Sequence, residues 1–312
     1  MKFDVVIPNY NGFELIEKNL PVLLSNVEKY NVGEIIISDD FSKLDNYSRL
    51  ESFIKRIDKT SPAKVVLLRN KKNLGFSSNV NHAVAKGNSE FVLLLNTDIL
   101  VEKNFLDAAI LDLETNKNLF GVGLMDKSIE GSDVVLRGRG LAKWSRGFLI
   151  HSKGDIDKKD TFWISGGSSL MRRDLFEKLG GFDSLFNPFY WEDIDLSYRA
   201  KKAGYELMFE PESSLEHYHS KGAIKKHYKS GQIKKIAYRN QLIFVWKNIT
   251  DPFLLASHLF WLPYHILRAF FSFDTAFISG FLAALMALPA IISKRKLQKR
   301  FYVKSDRELL YK

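Results

Sequence analysis

Short aliphatic and β-branched runs alternate with stretches of helical length from the start of this chain, and this alternation limits the folds it can adopt. The runs occupy residues 3–8, 34–39, 64–69 and 91–95. Such a pattern predicts β-α-β units and hence a parallel, doubly wound sheet. The runs at 35–37 and 92–95 are continuously apolar, as strands must be when helices cover both faces of a sheet. We therefore predict an α/β fold with a mostly parallel sheet and helices on both faces.

The length and composition of the chain indicate the size of the fold and exclude some kinds of site. The 312 residues are 46% hydrophobic and 26% charged, which suits one large α/β domain with an appendage and excludes a disordered chain. The chain contains no cysteine, so disulfides, thiolate metal ligands and cysteine nucleophiles are excluded. Pro8 interrupts the first apolar run before a secretory segment could form, and we expect the main domain to stay in the cytoplasm.

Charge and polarity change along the chain. The formal net charge is +10, and the excess is concentrated at residues 221–239 and 294–304. This distribution suits an anionic membrane surface or a nucleic acid. Residues 121–218 are richer in glycine and aromatic residues and contain one clear helical pattern, at 192–203. From about residue 225 the chain is basic and helical, and the strongly apolar stretch at 253–292 marks the main boundary.

Polar residues follow all four predicted strands. In open α/β sheets, ligands bind beyond the carboxyl ends of the strands. The residues at these ends are Asn9, Tyr10 and Asn11; Asp39 and Asp40; residues 70–73; and Asn96, Thr97 and Asp98. Turn chemistry alone also favours Asn and Asp at such places, but four consecutive strand ends of this kind predict a common binding crevice.

The turn after the first strand offers only Gly12, whereas a dinucleotide-binding enzyme uses a glycine-rich turn there to approach a pyrophosphate. The negative charge of a bound diphosphate would have to be neutralised in another way. A divalent cation held by a carboxylate would neutralise it. Asp98, which follows a hydrophobic strand, is the natural ligand for that cation.

These residues resemble glycosyltransferase family 2, and within it the rhamnosyltransferase-like branch that builds bacterial surface polysaccharides. The matching stretches occur in the family's order over about 215 residues. They are residues 5–12, 36–40, 73–76 with Asn79, 95–98, 165–167, 180–183, 191–196 with Arg199, and His217.

The resemblance implies a glycosyltransferase A-type fold with a Rossmann-like sheet. Residues 1–120 would form the nucleotide-sugar-binding half, and residues 121–250 the acceptor-binding and catalytic half of the same globule. Residues 251–312 would form an apolar and basic helical tail. The implied activity is the transfer, with inversion, of a sugar from a UDP- or dTDP-activated donor to a hydroxyl of a saccharide acceptor in the synthesis of a cell-surface polysaccharide such as O-antigen.

The resemblance also implies the donor site. Pro8, Asn9, Tyr10 and Asp39 would hold the nucleoside, with Asp39 accepting a hydrogen bond from the base, and Asp98 would ligate Mn²⁺ or Mg²⁺ on the diphosphate. The other expected donor-binding residues are Asn73, Gly75, Asn79, Asn96 and Gly167. One departure matters: many relatives have two acids around Asp98, whereas this chain has Asn96. The metal would then depend more on donor phosphate oxygens and on a second protein ligand.

Inverting transfer needs a carboxylate near the acceptor hydroxyl to take its proton. Asp193 is the candidate base, because it lies in the first turn of a predicted helix, where the helix dipole favours an ionised carboxylate, and because the family's base occupies this place. Glu192 would contact acceptor hydroxyls or orient the helix. In the alternative, Glu192, Asp193 and Asp195 only place negative charge at a helix N-terminus, and Asp195 forms an ion pair with Arg199. Trp191 would either stack on an acceptor sugar or fill the core.

The second metal ligand is expected among two histidines. His217 and His219 alternate in a short extended stretch, so their side chains would face the same way. Neutral imidazole is a suitable ligand for Mn²⁺ beside a carboxylate. The family places a histidine here, and we favour His217 over His219. Lys221 and Lys225 would add positive charge near the phosphates.

The tail leaves three arrangements open: it spans a membrane, lies on one, or packs away from it. Residues 275–292 are eighteen uncharged residues, about 27 Å as a helix against a hydrocarbon core of about 30 Å. The segment before them carries a polar stripe at helical spacing, formed by His258, Trp261, His265, Arg268 and Ser272. We expect an interfacial helix on the anionic cytoplasmic face of the membrane, and hence a lipid-linked acceptor such as a polyprenyl-diphosphate saccharide. A buried helical pair or a homodimer interface is the alternative.

Two other functions fit parts of the sequence. A nucleotidyltransferase would also use a metal and a nucleotide fold, but it would place a glycine-rich, basic phosphate signature near the first strand, which is absent here. A basic nucleic-acid-binding protein would line its cleft with positive charge, whereas the predicted crevice residues are acidic or neutral. We therefore expect no nucleic-acid partner.

Overall fold

A computed structural model describes residues 1–218 and 228–311. The strands are β1 (Lys2–Asn9), β2 (Asn31–Asp39), β3 (Lys64–Arg69), β4 (Phe91–Leu95), β5 (Ile99–Val101), β6 (Leu119–Glu130), β7 (Asp133–Arg137), β8 (Gly140–Ser145), β9 (Phe148–Lys153), β10 (Ser168–Arg172) and β11 (Glu206–His217). The α-helices are α1 (Phe13–Val27), α2 (Leu44–Ile57), α3 (Phe76–Val84), α4 (Asp107–Thr115), α5 (Arg173–Lys178), α6 (Glu192–Lys202), α7 (Ser230–Asn248), α8 (Pro252–Phe271), α9 (Thr275–Met286), α10 (Leu288–Lys299) and α11 (Asp306–Leu310). Short 3₁₀ turns lie at Asp58–Thr60 and Ser184–Phe186.

The first half of the chain forms the predicted parallel sheet. All four predicted strands are present; the third and fourth have the predicted bounds, and the first two extend by one to three residues. Strands β3, β2, β1 and β4 pair in that order, each parallel to its neighbour. Their carboxyl ends therefore lie at one edge, where the crevice was expected.

The second half of the sheet is mixed. The order continues β10-β6-β11-β5, with β7 beside β6. Strand β10 is antiparallel to both β4 and β6, whereas β11 is parallel to β6 and antiparallel to β5. Strands β8 and β9 form a separate hairpin. The mixed half closes the site from the side opposite to the parallel strands.

Helices cover both faces of the sheet, as the continuously apolar strands require. Val5 and Ile35 pack into the cluster under α1, α2 and α4. Val6 and Ile36, the next residue of each strand, belong to the cluster under α3, α5 and α6. All four side chains are fully buried, because successive side chains of a strand point to opposite faces.

The C-terminal helices pack on the second half of the globule through a third core cluster. Tyr198 of α6 and Phe244 of α7 meet in it at a ring-centroid distance of 5.2 Å. Lys247 of α7 is fully buried, and its Nζ lies 2.6 Å from Asp195 and 2.8 Å from Asp183. Helix α7 is therefore tied to helix α6 by apolar packing and by buried charge.

None of the single helices in the described part of the chain is long and apolar enough to cross a membrane. Helices α9 and α10 reach the required length and composition only as a pair, with a bend of 63° between them.

Candidate active site

A cavity of about 460 Å³ opens at the carboxyl ends of β1 and β4. Most of the site residues expected from the sequence line it. They are Pro8, Asn9, Tyr10, Asn73, Gly75, Asn79, Asn96, Asp98, Gly167, Glu192, Asp193 and His217. The strand-end residues of the first half and the acidic pair of the second half thus share one space.

Asp39 is not among the residues that line this cavity, and its expected contact with the base stays a prediction. Its side chain is fully buried, and its carboxylate accepts hydrogen bonds from Asn9 Nδ2 at 2.8 Å and from the Ser42 backbone N–H at 3.0 Å. Asp39 therefore holds Asn9 in place. The neighbouring Asp40 lines the cavity.

Asp40 and Asn79 fix the loop that leads into α3. The Asp40 carboxylate accepts from the backbone N–H groups of Leu74 at 2.8 Å and Gly75 at 2.9 Å. Asn79 is 2% exposed and donates from Nδ2 to the Ser38 carbonyl at 2.9 Å. Gly75 has φ +80°, and a Cβ there would come within 2.7 Å of the Asn187 side chain, so this turn requires glycine.

Gly167 allows the two halves of the site to approach closely. The Asn96 backbone N–H donates to its carbonyl at 2.9 Å, and a Cβ on Gly167 would lie 2.4 Å from Asn96 Nδ2. Any larger residue at position 167 would clash with the Asn96 side chain. The close approach of the segments that follow β4 and precede β10 therefore requires glycine at this position.

Asp98 and His217 meet at the expected metal site. His217 Nε2 lies 3.2 Å from Asp98 Oδ1, because the end of β11 pairs antiparallel with β5 and places His217 opposite Ile99. Both side chains are more than nine-tenths buried. The pairing of β11 with β5 covers Asp98.

Asp126 completes this group and was not found from the sequence. Its Oδ2 lies 2.7 Å from His217 Nδ1, which leaves Nε2 directed at Asp98. A carboxylate on the far nitrogen fixes the ring of many metal-binding histidines. The signal in the sequence was a lone acid directly after the apolar run 119–125 that begins β6. Burial alone would lower the pKa of His217, but Asp126 and Asp98 raise it to about 9.

The donor set fits a divalent cation that completes its coordination with substrate. One carboxylate and one imidazole converge, and a carboxylate backs the imidazole. Among residues 1–218 and 228–311, no group of three or more acidic or histidine side chains is arranged to hold a metal alone. Phosphate oxygens would therefore supply further ligands, as the loss of an acid at Asn96 suggested. His219, Lys221 and Lys225 lie outside the described residues.

Glu192 and Asp193 begin helix α6 at the cavity wall. Asp193 accepts from the Ile194 backbone N–H at 2.8 Å and from the Gly166 backbone N–H at 3.3 Å. Glu192 is 7% exposed, and its Oε2 has no hydrogen-bond partner among the described residues. Burial and the adjacent charge of Asp193 raise the pKa of Glu192 well above its ordinary value, and burial also raises the pKa of Asp193.

Asp195 has a different role from the two acids before it. It is fully buried and pairs with Arg199 at 2.8 Å, which is the helix-stabilising pair considered in the sequence. Its other oxygen binds Lys247. The three acids at the start of α6 therefore divide into two that line the cavity and one that joins the helix to its surroundings.

Trp191 fills the core, so its expected contact with an acceptor is corrected. It is 6% exposed and packs between Phe244 at 5.3 Å and His151 at 5.3 Å, measured between ring centroids. Trp191 and Tyr190 both have positive φ, at 76° and 71°. Such backbone is strained for residues other than glycine and tends to persist where the surroundings enforce it.

The side-chain amide of Asn240 in α7 supports this strained segment. Its Nδ2 lies 3.0, 2.9 and 2.8 Å from the backbone carbonyls of Phe186, Phe189 and Tyr190. Asn240 is fully buried. No motif pointed to it, because its role depends on the docking of α7 against a loop about fifty residues earlier.

Tyr228, Glu130 and Arg137 are among the residues that line the cavity without having been expected. Arg137 pairs with Glu130 at 2.6 Å, and its backbone lies opposite Asp126 in the β6–β7 pair. The β6–β7 hairpin thus brings a cation to the metal end of the cavity, where a diphosphate would carry negative charge.

The chain is similar in sequence to two bacterial rhamnosyltransferases. The chain is 26% identical over 296 residues to the O-antigen chain rhamnosyltransferase WbaN of Salmonella anatum, with 87% of each chain covered. It is 37% identical over 78 residues, 23% of this chain and 25% of the other, to the N-acetylglucosaminyl-diphospho-decaprenol L-rhamnosyltransferase of Mycobacterium tuberculosis.

Among solved structures, GalNAc-T7 with UDP, GalNAc and Mn²⁺ superposes with a TM-score of 0.63 at 16% identity, covering 79% of this chain and 48% of that one. This likeness shows a shared fold, the glycosyltransferase A-type fold. The family model for glycosyl transferase family 2 matches residues 4–180, which is more than half of the 312 residues. The chain belongs to glycosyltransferase family 2.

Proposed function

We propose that this glycosyltransferase moves a sugar, with inversion, from a UDP- or dTDP-activated donor to a hydroxyl of a lipid-linked saccharide during the synthesis of a cell-surface polysaccharide. The observation that carries the proposal is the composition of one cavity. A carboxylate–imidazole pair, Asp98 and His217, lines it together with the acidic pair Glu192 and Asp193.

The donor side is assigned to the strand ends. Pro8 and Asn9 end β1 and Tyr10 follows it, and Asn73 and Gly75 lie in the loop that Asp40 fixes. These residues would surround the nucleoside, and the diphosphate would extend towards Asp98. A divalent cation bound by Asp98 and His217 would neutralise charge on the leaving diphosphate. Arg137, which faces the same end of the cavity, would add a second positive charge.

The acceptor side is assigned to the start of α6. The acceptor hydroxyl oxygen forms a bond to the anomeric carbon while the bond from that carbon to the diphosphate oxygen breaks. The hydroxyl proton passes to Asp193, and the nucleoside diphosphate leaves with the electron pair of the broken bond. Glu192, whose Oε2 has no partner among the described residues, would orient the acceptor through its hydroxyls.

The acceptor class and the location are part of this proposal. WbaN acts in O-antigen synthesis by name, and the mycobacterial relative takes a decaprenyl-diphosphate-linked acceptor by name. Membership of family 2 favours glycosyl transfer over the nucleotidyltransferase and nucleic-acid-binding alternatives. We place the enzyme peripherally on the cytoplasmic face of the membrane, where lipid-linked intermediates would be within reach of the cavity.

A donor screen tests the proposal. The full chain is incubated with each UDP- and dTDP-sugar, Mn²⁺ or Mg²⁺, and decaprenyl-diphosphate N-acetylglucosamine as the acceptor probe, and released nucleoside diphosphate is measured. We expect one donor to give acceptor-dependent and metal-dependent release, with an inverted anomeric configuration in the product by NMR. A product that retains the donor configuration would refute the inverting mechanism. Release without dependence on any saccharide acceptor would refute glycosyl transfer to one.

A further inference from the structure

Helix α8 packs with its polar side against the protein. His258 is 1% exposed, with Nδ1 2.7 Å from the Gly147 carbonyl oxygen and Nε2 2.8 Å from Trp246 Nε1. His265 Nε2 lies 2.8 Å from the Arg146 carbonyl oxygen. His258 and His265 of the polar stripe therefore dock against the protein, whereas Arg268 of the same stripe is exposed.

The opposite side of α8 is apolar and exposed, and α9 continues it. A soluble protein rarely exposes a large patch of aromatic and aliphatic side chains without a partner. The exposed residues are Leu259 (67%), Phe260 (76%), Leu267 (56%), Phe270 (68%), Phe271 (75%), Phe273 (87%), Leu282 (54%) and Met286 (85%). We call these residues the apolar face. Phe260, Leu267 and Phe271 follow one another at spacings of seven and four residues, which puts them on one side of the helix.

The charges around the apolar face are almost all positive. Between residues 252 and 305 the sequence has seven basic residues and a single acid, Asp274. The Asp274 carboxylate accepts from the Phe277 N–H and from the Tyr238 hydroxyl. The exposed cations are Arg268, Lys296, Lys299 and Arg300. A symmetric second copy would place this positive surface against itself, whereas an anionic lipid surface complements it.

The apolar face is connected to the acceptor side of the cavity by one hairpin. Helix α8 holds the turn of the β8–β9 hairpin at Arg146 and Gly147. Strand β9 carries His151, whose ring packs on Trp191, the residue directly before the catalytic pair. A surface that fixed α8 would therefore also fix the element that supports the start of α6.

We infer that the apolar face docks on the hydrocarbon boundary of an anionic bilayer, with the cations of α8 and α10 among the headgroups and neither α9 nor α10 crossing the membrane. The face binds lipid because burial of its aromatic side chains removes them from water, and the cations add an attraction that salt screens. The docking face specifies how the enzyme of the proposed function would reach a lipid-linked acceptor, and its biological meaning rests on that proposed function. Vesicle binding is measured without donor or acceptor, so either idea can fail alone.

Vesicle flotation of the full chain tests the inference. The vesicles contain phosphatidylglycerol and phosphatidylethanolamine, or phosphatidylcholine alone. The test variant is Phe260→Gln with Phe271→Gln. The matched control is Leu44→Gln with Leu111→Gln. It removes two apolar side chains that are 70% and 61% exposed and lie in the first half of the chain, outside the apolar face. All four positions are exposed, so the substitutions leave the core intact, and circular dichroism checks this.

We expect the native chain and the control variant to float with anionic vesicles and the test variant to bind at least tenfold more weakly. High salt should weaken the binding of the native chain, and a wash at pH 11 should release it. Equal flotation of both variants would overturn the docking face. Retention after the alkaline wash would show a spanning pair. If the native chain binds to no vesicle but forms a dimer, and the test variant is a monomer, the apolar face would instead be a contact with a second copy of the chain.

Discussion

Nε2 of His217 lies 3.2 Å from Oδ1 of Asp98, at the end of a pairing between the last residues of β11 and the three-residue strand β5. The two groups come from different halves of the chain, and they meet only when the mixed half of the sheet is formed. Metal binding and donor binding should therefore depend on the packing of β11.

We expect Asp98→Ala to remove the metal-dependent part of donor binding, because it deletes the only carboxylate that contacts Nε2 of His217 in the described part of the chain. Calorimetry of UDP with and without Mn²⁺ measures this effect. Asp126→Asn should have a smaller effect than Asp98→Ala, because it only loosens the orientation of the His217 imidazole. We expect it to weaken the metal-dependent affinity for UDP by about 10- to 100-fold. Unchanged metal-dependent affinity in a folded Asp98→Ala protein would refute the assignment.

Asp193→Asn keeps the shape of the side chain but cannot accept a proton. Transfer should fall by roughly 10² to 10⁴, while donor affinity stays close to that of the native enzyme. Rates of sugar transfer and separate titration with donor make the distinction. A large loss of donor affinity would instead place Asp193 in the donor or metal site, and near-normal turnover would leave it with a helix-capping role.

The pH profile should show which acid of the pair is the base. Burial raises the pKa of Asp193 above its ordinary value of 3.8, and a base works only when ionised. Activity should therefore be present above this raised pKa and be lost as the pH falls through it. Burial and the charge of Asp193 raise the pKa of Glu192 as well, and Glu192→Gln removes the titration of that group, so the acid limb should remain in this variant when Asp193 is the base. If Glu192→Gln abolished the reaction instead, Glu192 would be the base.

Asn240→Ala should lower both stability and turnover. It leaves buried carbonyl groups of Phe189 and Tyr190 without their donor, at a cost of about 1–3 kcal/mol in the free energy of unfolding, and it frees the strained segment before Glu192. Denaturant titration gives the stability loss, and kcat should fall with little change in the KM for donor. Gln241→Ala, which removes a single 3.1 Å bond to Leu149, is the control, and an equal effect would contradict the positioning role.

The buried ion pairs of Lys247 should make the protein sensitive to acid. Burial alone would raise the pKa of Asp183, but the charge of Lys247 lowers it to about 2. A depressed folded-state pKa stabilises the fold above the ordinary value of 3.8, and this stabilisation is lost as the pH falls towards 2. Lys247→Met removes the 2.8 Å partner of the buried Asp183 and leaves Asp195 paired with Arg199 alone, and it should cost about 3–5 kcal/mol. Thermal unfolding at several pH values measures both effects; a variant as stable as the native protein would contradict them.

The parallel half of the fold follows from local patterns in the sequence. A run such as Ile35 to Ile37 must be covered on both faces wherever it lies, and polar residues after such runs must gather at one edge. The positions of Asn9 and Asp98 could therefore be predicted. The side-chain direction of Asp39 could not, because the turn at Ser42 supplies the donors that draw its carboxylate inwards.

The remaining site residues depend on contacts between distant segments. Asp126 reaches His217 only because β6 and β11 are parallel neighbours, and no spacing in the sequence encodes that pairing. Trp191 could have stacked on a sugar or filled the core, and the docking of Phe244 from α7 decides for the core. Asn240 carries no motif at all, since its function is to bind backbone carbonyls of another segment.

Lys247 lies in α7, and its positive charge pairs with two buried acids, Asp183 and Asp195. These acids lie before and after Glu192 and Asp193 in the sequence. Lys202, on the last turn of α6, is likewise matched by Asp306 near the end of the chain. The C-terminal helices are therefore not an interchangeable module. A chimera that joined residues 1–218 to the C-terminal helices of another transferase would be expected to misfold unless those helices supplied a lysine in place of Lys247 and an acid in place of Asp306, so the two parts must diversify together in evolution.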